Sequence, residues 1–473
     1  MTDPDAVVVG SGPNGLVAAV TVARAGRRVL LVEAATTVGG GLRTAALTEP
    51  GFAHDVCSTV HPLGAVSPAF AALPLAEHGV EWVHPPEPLA HPLDPARAAV
   101  AHRSISETVA SFTPHDARSY ERLFTPMVEH ADEIVATLME PLRPPSSPLV
   151  MARFGVHALR SARGLAHGRF EDGHAQALFG GCAAHAIQPL SGTGTAGYGL
   201  FLLMLLHHVG WPLVRGGSQV LADALVAILR ESGGTVETGC EITDLAELPA
   251  TPITMLDLTP RQVLRLAGDR LPDRYRAALG RYRYGPGVCK VDWALRDPIP
   301  WRDPDVRGAG TVHLGGPLGA VAASEAAVAS GTNPDDPYVI VVQPTVADPG
   351  RAPEGRHVGW AYCHVPNGSP ADRTLAIEAQ IERYAPGFRD TVIARHTMSA
   401  PAMEAHNANY VGGDINGGSG DLRQLFTRPV ASLHPWATPV DGLYLCSSAT
   451  PPGGGVHGMA GHHAAQLALK RAT

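Results

Sequence analysis

The chain has 473 residues, 45% of them hydrophobic and 17% charged, which is material for a sizeable core and for about three average domains or fewer large ones. A formal charge of −8 gives no electrostatic basis for binding nucleic acid. The six cysteines (Cys57, Cys182, Cys240, Cys289, Cys363 and Cys446) include no C-x-x-C pair, which argues against a zinc site or redox-active dithiol and fits reduced thiols.

The first element is a short apolar, β-branched run, "DAVVVG", which reads as a buried parallel strand. It begins too early to leave room for a leader peptide, so the expected location is cytoplasmic. "GSGPNG" follows, with Gly10, Gly12 and Gly15 spelling G-x-G-x-x-G. A helical stretch, "LVAAVTVARAG", and a second strand, "RRVLLVE", complete a βαβ unit that ends in Glu33. In such a unit the first glycine allows the tight turn and the third allows close helix–strand packing. The backbone from Gly12 through Pro13 and Asn14 can approach a pyrophosphate at the helix N-terminus. Glu33 can accept hydrogen bonds from an adenosine ribose, and its charge disfavours a 2′-phosphate. The expected ligand is therefore FAD or NAD.

The segment "AATTVGGGLRT" chooses between them. Gly40, Gly41 and Leu42 would bring the backbone beside a second part of an extended ligand, and Arg43 could face a phosphate. Flavoproteins carry this E-x-x-x-x-x-G-G element, whereas NAD-binding units do not need it, so FAD is the expected cofactor. Next comes "GFAHDVCSTVHP", with His54, Asp55 and His61 as candidates for a role between cofactor and substrate.

Helical patterning follows through "DARSYERLFTPMVEHADEIVATLME". The longest apolar run, "YGLFLLMLL", falls short of the roughly 20 residues that span a bilayer. It reads as core or as the wall of a lipophilic channel, with peripheral membrane contact as the most a membrane could expect. "GGSQVLADALVAILRESGG" is an amphipathic helix and "TVETGCEITDL" a strand. "GVCKVDWAL", "DPYVIVVQP" and "HVGWAYCHV" read as sheet strands. In the first of them, alternation puts Val288, Lys290 and Asp292 on one face and Cys289, Val291 and Trp293 on the other.

A second G-x-G-x-x-G lies in "SSATPPGGGVHGMAG", as Gly453, Gly455 and Gly458. Only 15 residues follow Gly458, too few for another strand and its acidic partner. The motif is expected to bring a helix N-terminus to the flavin end of the same ligand, where its dipole would favour negative charge. One FAD would then be held from both ends. His457, at that helix start, either is satisfied by the backbone or contacts flavin or substrate. His462 and His463 read as helix residues, and no metal is expected.

These segments, together with "WPLVRGGSQVLADALVAIL", "KVDWALRDPIPW" and "YAPGF", resemble the phytoene-desaturase-like FAD oxidoreductases, within the wider superfamily that includes the amine oxidases. The resemblance spans the chain. It implies an α/β fold: a Rossmann-like FAD-binding domain of the two-dinucleotide-binding type, with a discontinuous α+β substrate domain. The cofactor domain would take residues 1–66, 210–260 and 424–473, and the substrate domain 67–209 and 261–423. The family pattern further implies that the Ile242 backbone meets the adenine and that Gly455, Val456 and His457 lie at the flavin. Lys290 stands where amine oxidases place a lysine that reaches flavin N5 through a water. The alternative for Lys290 is a pair with Asp292 or a place in solvent.

Three features depart from the wider pattern: Gly41 where desaturases often have arginine, Ser448–Ala449 before Thr450, and a short "CEITDLAELPATPITMLDLTP" segment. The implied reaction is hydride transfer from an apolar, isoprenoid-like substrate to flavin, with oxygen or a quinone as acceptor. Its rivals are polyene isomerisation, amine oxidation, and a flavoprotein whose role is mainly to bind a partner.

Overall fold

The computed structural model describes residues 3–93, 97–141 and 143–472. Its first sheet is parallel, in the order Leu443–Leu445, Ile253–Leu256, Ala6–Val9, Val29–Glu33, Thr235–Thr238. The inner strands are mostly apolar because both faces of the sheet are covered. On one face lie the N-terminal helix Pro13–Arg24, the helix Gln219–Glu231 and the C-terminal helix Met459–Arg471. The other face packs Val7, Val9 and Leu256 against Val263, Leu266, Leu271 and Leu279.

The helices Pro260–Ala267 and Asp273–Leu279, which lie at the start of the 261–423 stretch expected in the substrate domain, close the open face of the cofactor sheet. A parallel sheet needs cover on both faces, and this stretch supplies the second layer.

The second sheet has seven strands, in the order Val392–Met398, Gly287–Leu295, His357–Val365, Val339–Val342, Ala309–Leu314, Glu87–His91, Ala99–Ala101. Only the pair Ala309–Leu314 with Glu87–His91 is parallel. One face sends Cys289, Val291, Trp293, Val341 and Cys363 into a core shared with Ile377 and Ile381 of the helix Thr374–Tyr384. The opposite face carries Lys290, Asp292, Trp360, Tyr362, His364, His313 and His91, as strand alternation requires.

A helical layer completes the molecule. Its centre is the helix Thr195–Val209, whose Leu200, Leu203, Met204, Leu205 and Leu206 are all buried. It packs on the helices Gly173–Ala184, Pro114–Glu129 and Pro148–Ala158, so the long apolar run is core of this layer. Among the described residues, no helix is long and apolar enough to cross a membrane.

Candidate cofactor and substrate site

The N-terminal glycine loop is built for close approach. A Cβ on Gly15 would lie 2.2 Å from the carbonyl oxygen of Gly10, so only glycine lets the helix start this near its strand. Gly40 lies against Gly12, its own Cβ position 3.0 Å from the Gly12 Cα, so the two glycine segments share one surface. Pro13 opens the helix, and the side-chain oxygen of Asn14 is buried without a hydrogen-bond partner. Gly41 faces Tyr410, and Leu42 is fully buried beneath the loop.

Glu33 ends its strand under this loop. Its Oε2 accepts from the Ser11 N–H at 2.9 Å, and Oε1 accepts from the Ala35 N–H at 2.9 Å. Arg43 does not stand free for a phosphate. Its guanidinium donates to Glu33 Oε1 at 3.2 Å and to the Thr37 carbonyl at 3.0 Å. A buried guanidinium takes the nearest buried carboxylate, since leaving either charge alone is costly. Ile242 follows the strand that pairs with Val29–Glu33, half-buried against the core of the cofactor sheet, two residues after Cys240 donates to the Glu33 carbonyl at 2.9 Å.

Asp257 is the residue that sequence reasoning missed. It lies just beyond the strand Ile253–Leu256, and its Oδ2 accepts from the Gly15 N–H at 3.1 Å. The same oxygen is 2.6 Å from a Cβ position on Gly12. Burial, reinforced by the nearby charge of Glu33, pushes its carboxyl up to about 7, against the N–H groups of Gly15 and Gly12.

The C-terminal glycines come to the same place. A Cβ on Gly461 would stand 1.8 Å from the Asn14 carbonyl oxygen, so the two helices cross in contact at the first turn of the N-terminal one. Gly455 and Val456 rest on Leu63 and Gly64, and the Ser67 hydroxyl donates to the His457 carbonyl. His457 itself is buried, and its Nδ1 accepts from the Met459 N–H at 3.0 Å, capping its own helix. Burial pushes this imidazole down to about 4. His463 is spent on the Met139 carbonyl at 2.7 Å, and no metal-binding group occurs among the described residues. A shared glycine surface, an orphaned amide oxygen and two adjoining helix starts fit an extended dinucleotide held along one groove.

Lys290 lies on the sheet face turned towards the cofactor domain. Its ammonium pairs with Asp292 and sits 5.1 Å from the Trp360 ring centroid, with 2% exposure. The Trp360 N–H reaches Thr59 at 2.8 Å, and His54 Nδ1 is 3.7 Å from Asp292. His54 also shares a hydrogen bond with Thr48 at 2.7 Å, and burial pushes it down to about 4. The strand, its alternation and the Lys290–Asp292 pair are therefore all present. His61 bonds the Ser218 hydroxyl at 2.8 Å, and Asp55 accepts from the Ser218 N–H at 2.9 Å, so these two hold the helix Gln219–Glu231 in place.

Further along the same sheet face runs a row of buried polar rings. His313 and His185 meet Nε2 to Nε2 at 3.0 Å, His91 bonds the Gly316 carbonyl at 2.8 Å, and His364 pairs with Glu325 at 2.9 Å. Burial pushes His185 to about 3 and His91 to about 4, so both are neutral near pH 7. Each member comes from a different element, so no local stretch of sequence shows the row.

Residues 8–73 match the NAD(P)-binding Rossmann-like domain family. Pyridine nucleotide-disulfide oxidoreductase domain-containing protein 2 of Mus musculus is similar at 27% identity, over 98% of this chain and 93% of its own. A neurosporene-forming phytoene desaturase of Rhodobacter capsulatus is similar at 25% identity over 52% of this chain and 51% of its own. Among solved structures, a mutant putrescine oxidase shares the fold with a TM-score of 0.65 at 18% identity, covering 99% of each chain.

Proposed function

We propose, from its similarity to these proteins, that the chain is an FAD-type oxidoreductase of the superfamily of amine oxidases and desaturases and that it removes a hydride from a C–H bond of a lipophilic donor. FAD supplies the hydride-accepting chemistry, and the protein supplies binding, orientation and electrostatics. The glycine segments around Gly12, Gly40 and Gly455 would hold the cofactor, and electrons would leave to oxygen or a quinone.

One observation carries the substrate class. Asp292, on the inward sheet face, is paired with the Lys290 ammonium, and Glu325, on the helix Leu318–Ala329, shares hydrogen bonds with His364 Nδ1. An ammonium substrate would compete with Lys290 for Asp292, whereas a neutral lipophilic one displaces no charge. The half-length similarity to a phytoene desaturase points the same way. Amine oxidation is the second reading, favoured by the likeness to putrescine oxidase and by the buried lysine on that face.

Anaerobic mixing separates the two. Lipophilic polyenes and other long-chain alkenes should bleach the flavin faster than simple primary amines. Fast bleaching by a primary amine, with none by polyenes, would replace the first reading with the second.

A further inference from the structure

The stretch 141–170 holds five arginines (Arg143, Arg153, Arg160, Arg163 and Arg169) and no aspartate or glutamate, in a chain whose formal charge is −8. It contains the helix Pro148–Ala158, which is seated by Phe154 on the buried helix Thr195–Val209. At 100° per residue, Leu149, Arg153 and Val156 fall on one outward stripe of this helix, and exposed Arg160 follows just beyond its C-cap. Leu149 is 79% exposed, Val156 68% and neighbouring Leu159 51%, where a water-facing stripe would be polar.

The patch continues onto a second element. Gly194 donates to the carbonyls of Leu159 and Arg160, and a Cβ on it would touch Leu422 at 3.4 Å. One turn beyond Leu422, in the helix Leu422–Thr427, Phe426 is 54% exposed beside exposed Arg423.

We propose that this face docks on an anionic lipid surface. Isolated large apolar side chains between arginines suit a fluid interface, where the apolar groups enter the acyl boundary and the guanidiniums remain among the phosphates. Charge complementarity excludes a second copy on this face. A two-fold contact would set the arginine stretch against itself. The docked face lies directly over the Thr195–Val209 helix of the substrate domain, so a lipophilic donor could reach that domain from the bilayer. The docking itself does not depend on the reaction proposed above.

The test is co-sedimentation of the full-length flavoprotein with vesicles. Wild type should bind vesicles of mixed phosphatidylcholine and phosphatidylglycerol, release as salt rises, and bind pure phosphatidylcholine weakly. Leu149→Asp with Val156→Asp, and separately Arg153→Glu with Arg160→Glu, should each weaken binding by about tenfold or more. Flavin content and melting temperature should stay unchanged in both. Equal binding by wild type and both double variants, or no binding by wild type, would overturn the proposal. So would a solution dimer that Leu149→Asp with Val156→Asp dissociates while vesicle binding is absent.

Discussion

The guanidinium of Arg351 donates to Asp55 Oδ2 at 2.7 Å, with both side chains fully buried and 296 positions apart in sequence. Arg351 also donates to Asp348 at 3.0 Å, and Asp348 accepts from the Gly216 N–H at 2.7 Å. Asp55 further accepts from Thr44 at 2.6 Å and from the Ser218 N–H. Three separate stretches of chain thus meet on one buried charge pair, joining the cofactor domain to the substrate domain.

Breaking that clamp should be costly. Asp55→Ala or Arg351→Met leaves one buried charge alone and should cost about 3–5 kcal/mol. Replacing both, as Asp55→Asn with Arg351→Met, should cost less than either. Burial alone would raise the Asp55 carboxyl, but the charge and hydrogen bond of Arg351, with Thr44 and Ser218, hold it below the usual range. Its folded pKa is therefore depressed, and its stabilisation is present above about pH 4 and lost as pH falls below that. Denaturant unfolding across acid pH, on wild type and the three variants, checks both statements.

Asp257 should make cofactor retention pH-dependent. Its folded pKa is raised, so in the cofactor-free protein its contribution is fully present below about pH 4 and lost as pH rises through about 7. The same ionisation puts a negative charge at the helix N-terminus that the pyrophosphate needs, opposing it by about 1–4 kcal/mol at close range. FAD should dissociate faster as pH rises through 7, and Asp257→Asn should flatten that profile and slow release at pH 8. Flavin fluorescence on dilution reads the rate directly. An Asp257→Asn profile identical to wild type would remove Asp257 from the cofactor site.

Lys290 cannot be removed as an isolated side chain. Lys290→Met leaves Asp292 buried and unpaired, a loss of about 3–5 kcal/mol by the same reasoning. Lys290→Met with Asp292→Asn should recover most of that stability. If Lys290 also serves proton transfer at the flavin, the double variant should keep its FAD yet turn over or reoxidise at least about tenfold more slowly. Stopped-flow reoxidation of the stable double variant separates the two roles. An unchanged rate leaves Lys290 a structural partner of Asp292.

What the sequence made legible was local or carried by glycine. The βαβ unit around Gly10, Gly12, Gly15 and Glu33 needs only consecutive residues, and the alternation through Lys290 and Asp292 needs one strand. The meeting of the two glycine motifs could be inferred because only 15 residues follow Gly458, too few for a second Rossmann unit, and in the structure Gly461 lies against Asn14. Arg43 reads from sequence as able to face a phosphate, and in the structure its guanidinium lies on Glu33. Asp257, Arg351 and the histidine row were illegible for a different reason. Asp257 lies 242 residues from Gly15, and His185 lies 128 from His313, so their chemistry exists only once distant strands pair.

The central claim is that one FAD lies along both glycine motifs of a single chain, and the flavin released on denaturation tests it most directly. Wild-type protein should release one equivalent of FAD per chain and no NAD(P). Gly12→Val should lose the flavin because its side chain enters the pyrophosphate approach, where Asp257 Oδ2 already stands 2.6 Å from the Cβ position. Gly461→Val should lose it too, because the C-terminal helix can no longer close on Asn14. Stoichiometric NAD(P) in place of FAD, or a folded Gly461→Val protein that keeps full FAD, would contradict the account.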